Sequence, residues 1–62
     1  MEHEELKALV KKLNAQATQL KMDLHDLSEE LPINWEKIPE QAAKTYEAYK
    51  SLALARKQLA GN

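Results

Sequence analysis

The sequence has no cysteine or phenylalanine, and it contains one glycine and two prolines. Without cysteine, disulfides and thiolate metal sites are excluded. With 62 residues, a chain buries only a modest share of its surface and usually needs further stabilisation. Oligomerisation is the remaining common source of that stability. We therefore expect one domain over residues 1–62 that forms a homo-oligomer.

Long apolar runs and an excess of one charge are also absent. No segment approaches the roughly 20 apolar residues of a membrane-spanning helix, and the acidic N-terminus does not resemble a signal peptide. Nine Lys and Arg oppose ten Asp and Glu, for a net charge of −1, whereas nucleic-acid binding normally needs a basic surface. We expect a soluble cytoplasmic protein that binds neither membranes nor nucleic acid.

The first half of the chain has apolar residues at alternating spacings of four and three, which is the pattern of a coiled-coil seam. The seam residues are Leu6, Val10, Leu13, Ala17, Leu20, Leu24, Leu27 and Leu31. This pattern predicts a helix over about residues 2–30. Pro32 ends it, because proline lacks a backbone N–H donor and its preceding residue avoids the α region.

The second half predicts a helix over about residues 39–60, which Gly61 ends. Its apolar face alternates small and large residues, as interdigitating layers require. That face consists of Ala42, Thr45, Ala48, Tyr49, Leu52, Ala55 and Leu59, with Tyr46 and Ala53 on its flank.

The connector, residues 31–38, is predicted to form the turn of a helical hairpin. It is unusually apolar for a loop, so Ile33, Trp35 and Ile38 are expected to fold back over the end of the core. Asn34 is expected to cap a short helical turn that follows it.

The predicted fold is therefore an all-α, two-helix antiparallel hairpin. Two helices alone leave much of each apolar face in water, so two hairpins are expected to dimerise into a four-helix bundle. The acids Asp23, Asp26, Glu29 and Glu30 lie near the turn, and the bases Lys7, Lys11, Lys12, Arg56 and Lys57 lie near the termini. This distribution favours an antiparallel dimer, although exposed ion pairs contribute only about 0–1 kcal/mol each. Association of two dimers into a tetramer is left open.

Three stretches carry a family resemblance: QLKMDLHDL at 19–27, ELP at 30–32 followed by Trp35, and TYEAY at 45–49. Together they resemble the Rop-like helical-hairpin proteins encoded beside nitrogenase genes in nitrogen-fixing bacteria. The resemblance implies a non-enzymatic accessory role in nitrogen fixation, such as metal handling or cofactor maturation with a nitrogenase-maturation protein. Some members of that family are described as metalloproteins. Rop itself is an RNA-binding regulator, but a shared fold does not carry that function.

One candidate metal site consists of Met22, His25, Asp26 and Glu29, which share one helix face away from the leucine seam. An imidazole with carboxylates and a thioether can bind a divalent metal such as nickel, copper or zinc. One helix supplies at most three ligands, so a tight site needs a second chain. The alternatives are a solvated stripe or a contact surface for another protein. Ala8, Ala15 and Thr18 belong to the same stripe.

A second candidate is the N-terminal sequence Met1-Glu2-His3. A free amine, two backbone amides and an imidazole form a square-planar chelate that suits copper(II) or nickel(II). This chelate requires that the start of the helix be unwound. The alternative is that His3 is an incidental surface residue or part of the frayed end of the seam.

The aromatic residues Trp35, Tyr46 and Tyr49 could form a binding groove, but we expect them to close the end of the core. No nucleophile beside a base, acid–base pair or phosphate-binding loop is evident, so an enzyme is not expected. The competing function is a structural or protein-interaction module without a metal role. Rop-type RNA binding is the least favoured reading.

Overall fold

The computed structural model describes residues 2–61, which form two antiparallel helices joined by a tight turn. Helix α1 spans His3–Glu29, a short 3₁₀ turn spans Trp35–Lys37, and helix α2 spans Ile38–Gly61. The predicted helix boundaries are each confirmed to within one residue. The hairpin is a rod of 45 × 14 × 13 Å. Neither helix in this part of the chain combines the length and the apolar character needed to cross a membrane.

The core of the hairpin is small. Among residues 2–61, the buried residues are Leu6, Ala17, Leu52 and Ala55. Ala17 has no exposed surface at all, because its small side chain allows the two helices to approach closely at mid-length. The rest of the predicted seam in α1 is only half-buried, namely Val10, Leu13, Leu20, Leu24 and Leu27. One hairpin therefore covers only part of its own apolar surface.

Polar side chains of α2 reach across to α1 and help to fix the register of the helices. The Arg56 guanidinium donates a hydrogen bond to Asn14 Oδ1 at 3.0 Å. Gln41 Nε2 donates to the carbonyl of Leu20 at 3.5 Å. The hydroxyl of Thr45 lies 3.4 Å from the same carbonyl.

The turn is closed by local backbone hydrogen bonds. The amide of Ile33 donates to the carbonyl of Glu30 at 2.9 Å, and the amide of Lys37 donates to the carbonyl of Asn34 at 3.0 Å. Asn34 precedes the 3₁₀ turn, as predicted, and has left-handed backbone angles of φ 62° and ψ 26°. Its side chain does not cap that turn. Instead, Asn34 Nδ2 donates to Glu30 Oε2 at 3.4 Å.

The prediction that the connector folds back over the core is wrong for Ile33 and Trp35. Their exposed fractions are 67% and 66%, whereas Ile38 is half-buried. A two-helix rod that is only 14 × 13 Å across has too narrow an end to cover them, and the local hydrogen bonds keep the turn short. Tyr46 is also exposed, and Tyr49 is at the edge of exposure, so in the single hairpin these aromatic residues do not close the core.

Candidate functional site

His25 lies between two carboxylates near the C-terminal end of α1. Its Nε2 atom is 3.4 Å from Glu29 Oε1, one helical turn further along. Its Nδ1 atom is 3.7 Å from Asp26 Oδ1. All three side chains are exposed, because the heptad pattern directs them away from the leucine seam. The structure thus brings together three of the four residues predicted for this site.

The geometry around His25 suits a partial metal site. Zinc binds imidazole nitrogen and carboxylate oxygen at about 2.0–2.2 Å, so two ligands in a tetrahedral arrangement lie roughly 3.4 Å apart. The His25–Glu29 pair has that spacing. A metal-binding histidine is usually oriented by a hydrogen bond from its other ring nitrogen to a carboxylate, but Asp26 Oδ1 lies 3.7 Å from that nitrogen, which is beyond hydrogen-bond distance. One hairpin would therefore supply two ligands, His25 and Glu29.

Met22 precedes His25 by three residues on α1 and is exposed, so its thioether is accessible on the same helix face. Within residues 2–61, no group of three or more His, Asp or Glu side chains is arranged to hold a metal ion. The metal site stays a prediction that depends on a second chain. The face of α1 that carries Met22 and His25 is not exposed along its whole length. Thr18 is half-buried, whereas Ala8 and Ala15 are exposed.

The second candidate site begins outside the described residues, because Met1 is not among them. His3 is the first residue of α1, and Glu2 before it is extended, with φ −64° and ψ 150°. The amide of Leu6 donates to the carbonyl of Glu2 at 2.9 Å. The amides of Glu2 and His3 do not donate within the helix. A chelate through both nitrogens needs them on the same side of the Glu2 Cα–C bond, whereas the ψ of 150° places them on opposite sides, so binding would rotate the Glu2 carbonyl away from the Leu6 amide.

The sequence predicts an apolar connector but not its exposure. We define the exposed residues Leu31, Ile33 and Trp35 as the apolar tip of the hairpin. The sequence feature that indicated such a surface is the apolar composition of the connector. A turn that joins only two helices has no third layer against which to bury such residues.

The comparison with known families matches a family described as Rop-like over residues 1–61, which is nearly the whole chain. This chain belongs to the Rop-like family. The resemblance drawn from the motifs at 19–27, 30–32 and 45–49 is thus confirmed. An NMR structure from the Northeast Structural Genomics Consortium has a similar fold, with a TM-score of 0.89 and 62% identity, and it covers 98% of this chain and 86% of that chain.

Curated relatives of this Rop-like protein come from several bacteria. A UPF0437 protein of Azorhizobium caulinodans is 55% identical over 56 residues, which cover 90% of this chain and 81% of the relative. One from Trichormus variabilis is 54% identical over 56 residues, or 90% of this chain and 65% of the relative. A third, from Frankia alni, is named a UPF0437 protein in the nifX–nifW intergenic region. It is 53% identical over 45 residues, or 73% of this chain and 55% of the relative.

Proposed function

We propose that this Rop-like protein is a small, non-enzymatic, cytoplasmic accessory protein associated with nitrogen fixation. The observation that carries the proposal is the Frankia alni relative, whose name refers to the nifX–nifW intergenic region and which is 53% identical over 45 residues. A nitrogenase-maturation protein is the partner class that this association favours.

Deletion of the encoding gene in its host tests the association. We expect slower growth on dinitrogen as the only nitrogen source and unchanged growth on ammonium, with recovery when the gene is restored. Equal growth of the deletion strain and the parent on dinitrogen would contradict the proposal.

We further propose that the protein binds a divalent metal, namely nickel, copper or zinc, through His25 and Glu29. The 3.4 Å spacing of their ligand atoms supports this hypothesis. One hairpin contributes two of the four ligands that zinc usually takes. The two His25 residues of one antiparallel dimer lie near opposite ends of the bundle, so a four-ligand site would be formed by chains of two different dimers. The expected stoichiometry is therefore one metal ion per two chains.

Calorimetric titration with each metal separates the two candidate sites. Binding at His25 predicts that His25→Ala abolishes the heat of binding and that His3→Ala leaves it unchanged. Binding at the N-terminal chelate predicts that His3→Ala abolishes the heat of binding, that His25→Ala leaves it unchanged, and that each chain binds one metal ion. If both variants bind like the wild type, neither site binds metal, and the protein-interaction module becomes the better description.

We also propose that the functional unit is an antiparallel homodimer in the form of a four-helix bundle. Support comes from the half-buried seam of α1, which includes Leu13, Leu20 and Leu27 and would gain further burial against a second hairpin. At about 25 cal/mol per Å² of apolar surface, such burial is the main favourable term in association. The antiparallel arrangement would also bring the acidic turn of one hairpin beside the basic ends of the other.

A further inference from the structure

The apolar tip is an unusual surface for a chain of this size. Ile33 and Trp35 expose about two-thirds of their surface, and Leu31 exposes 47%. Single exposed apolar residues are common, but here three of them lie within five consecutive positions at one turn. The backbone hydrogen bonds of the turn, from Ile33 to Glu30 and from Lys37 to Asn34, hold the apolar tip at the end of the rod.

Charges around the tip are strongly of one sign. Between residues 23 and 40 there are six carboxylates and a single basic residue, Lys37. The carboxylates belong to Asp23, Asp26, Glu29, Glu30, Glu36 and Glu40, and all of these residues are exposed. We refer to these six as the acidic collar. Residues 2–12 and 50–61, at the other end of the hairpin, have six basic residues and three acidic ones.

The position of the tip separates it from the surface expected for dimerisation. The half-buried seam runs along the length of α1, so a second hairpin that covers it packs against the long side of the 45 Å rod. Leu31, Ile33 and Trp35 instead follow the last residue of α1, Glu29. Side-by-side packing of helices therefore leaves the tip at the end of the bundle.

We propose that the tip is a docking surface for another protein, one that presents an apolar face bordered by lysine and arginine side chains. Ile33 and Trp35 pack against that apolar face, and the carboxylates next to the tip, Glu30 and Glu36, pair with the surrounding cations. Tryptophan is among the residues that contribute most when buried at an interface. Complementary charge at the rim increases the association rate and makes binding dependent on salt. The proposal does not depend on metal binding at His25.

Trp35 is the only tryptophan in the chain, so its fluorescence reports directly on the tip. The probe is an amphipathic helical peptide of leucine and lysine, and the control is the same peptide with glutamate in place of lysine. We expect a saturable blue shift of Trp35 emission with the lysine peptide alone, weakened by added salt. Equal binding of both peptides, or no shift with either, would overturn the proposal.

Matched variants show whether binding occurs at the tip. Ile33→Ser should weaken binding of the lysine peptide about tenfold, as expected for a residue that is buried against the apolar face of the peptide. Leu54→Ser is the control, because Leu54 is also exposed, at 56%, but lies near the other end of the hairpin. Its effect should be small, and equal losses for the two variants would contradict docking at the tip. Circular dichroism confirms that both variants fold.

Two further measurements test the collar and the identity of the occupant. The double variant Glu29→Gln/Glu30→Gln should weaken binding of the lysine peptide, whereas Glu4→Gln/Glu5→Gln at the other end should not. Equal effects would overturn the role of the collar. Dilution of the protein without peptide should leave Trp35 emission constant. A red shift on dilution would show that a second copy of the chain covers the tip, which would also overturn the proposal.

Discussion

At the scale of single residues, Leu52 is the largest fully buried side chain, with 1% of its surface exposed. Leu52→Ala should lower the free energy of unfolding by about 2–5 kcal/mol, because it removes buried surface and leaves a cavity. Small domains are stable by only about 5–15 kcal/mol in total, so the loss should be large in a urea titration. Leu54→Ala, two positions away on the exposed face of α2, should change stability by at most about 0.5 kcal/mol. Similar losses for both variants would contradict the described packing of α2.

At the scale of the turn, Asn34 has left-handed backbone angles. That conformation costs most residues about 1–2 kcal/mol, but asparagine and glycine adopt it readily. Asn34→Ala should therefore lower the free energy of unfolding by about 1 kcal/mol. Asn34→Gly should change it by only a few tenths of a kcal/mol, since glycine also makes the unfolded chain more flexible. Thermal unfolding followed by circular dichroism measures both, and equal destabilisation would indicate that the Glu30 contact matters more than the backbone angle.

The two helices were predictable from sequence because their signals are local. The alternating seam from Leu6 to Leu27 predicts α1, and Pro32 predicts its end, so the boundaries agree with the structure to within one residue. The exposure of His25 also follows from its place outside the seam, and its contact with Glu29 follows from their spacing of four residues.

The tip was not predictable in the same way. Whether Ile33 and Trp35 become buried depends on what lies beyond the turn, and periodicity carries no information about that. The side-chain contact from Asn34 to Glu30 depends likewise on the backbone path of the turn. Composition predicts an apolar connector, but only the three-dimensional arrangement shows that two helices leave it uncovered.

At the scale of the whole molecule, the hairpin has a half-buried seam along its length and charges of opposite sign at its two ends. The proposed antiparallel dimer would bury the seam and bring the opposite charges together. A parallel dimer would bury the same seam but place the two acidic collars side by side, where like charges repel. An antiparallel dimer would therefore show that charge determines the orientation of the two hairpins, because burial of the seam is the same in both dimers.

Because the chain has no cysteine, a single introduced cysteine can carry a nitroxide label for distance measurement by electron paramagnetic resonance. With Glu36→Cys labelled at the turn, an antiparallel dimer should give a distance comparable to the 45 Å length of the rod. A parallel dimer should give roughly 20 Å, about two helix diameters.

A mixture of protein labelled at Glu36→Cys and protein labelled at Lys57→Cys provides the control. In an antiparallel dimer the turn of one chain lies beside the terminal end of the other, so mixed dimers should give a short distance that neither variant gives alone. A short distance for Glu36→Cys by itself would establish the parallel dimer. Absence of any dipolar coupling at high protein concentration would contradict dimerisation itself, and the half-buried seam would then need a different partner.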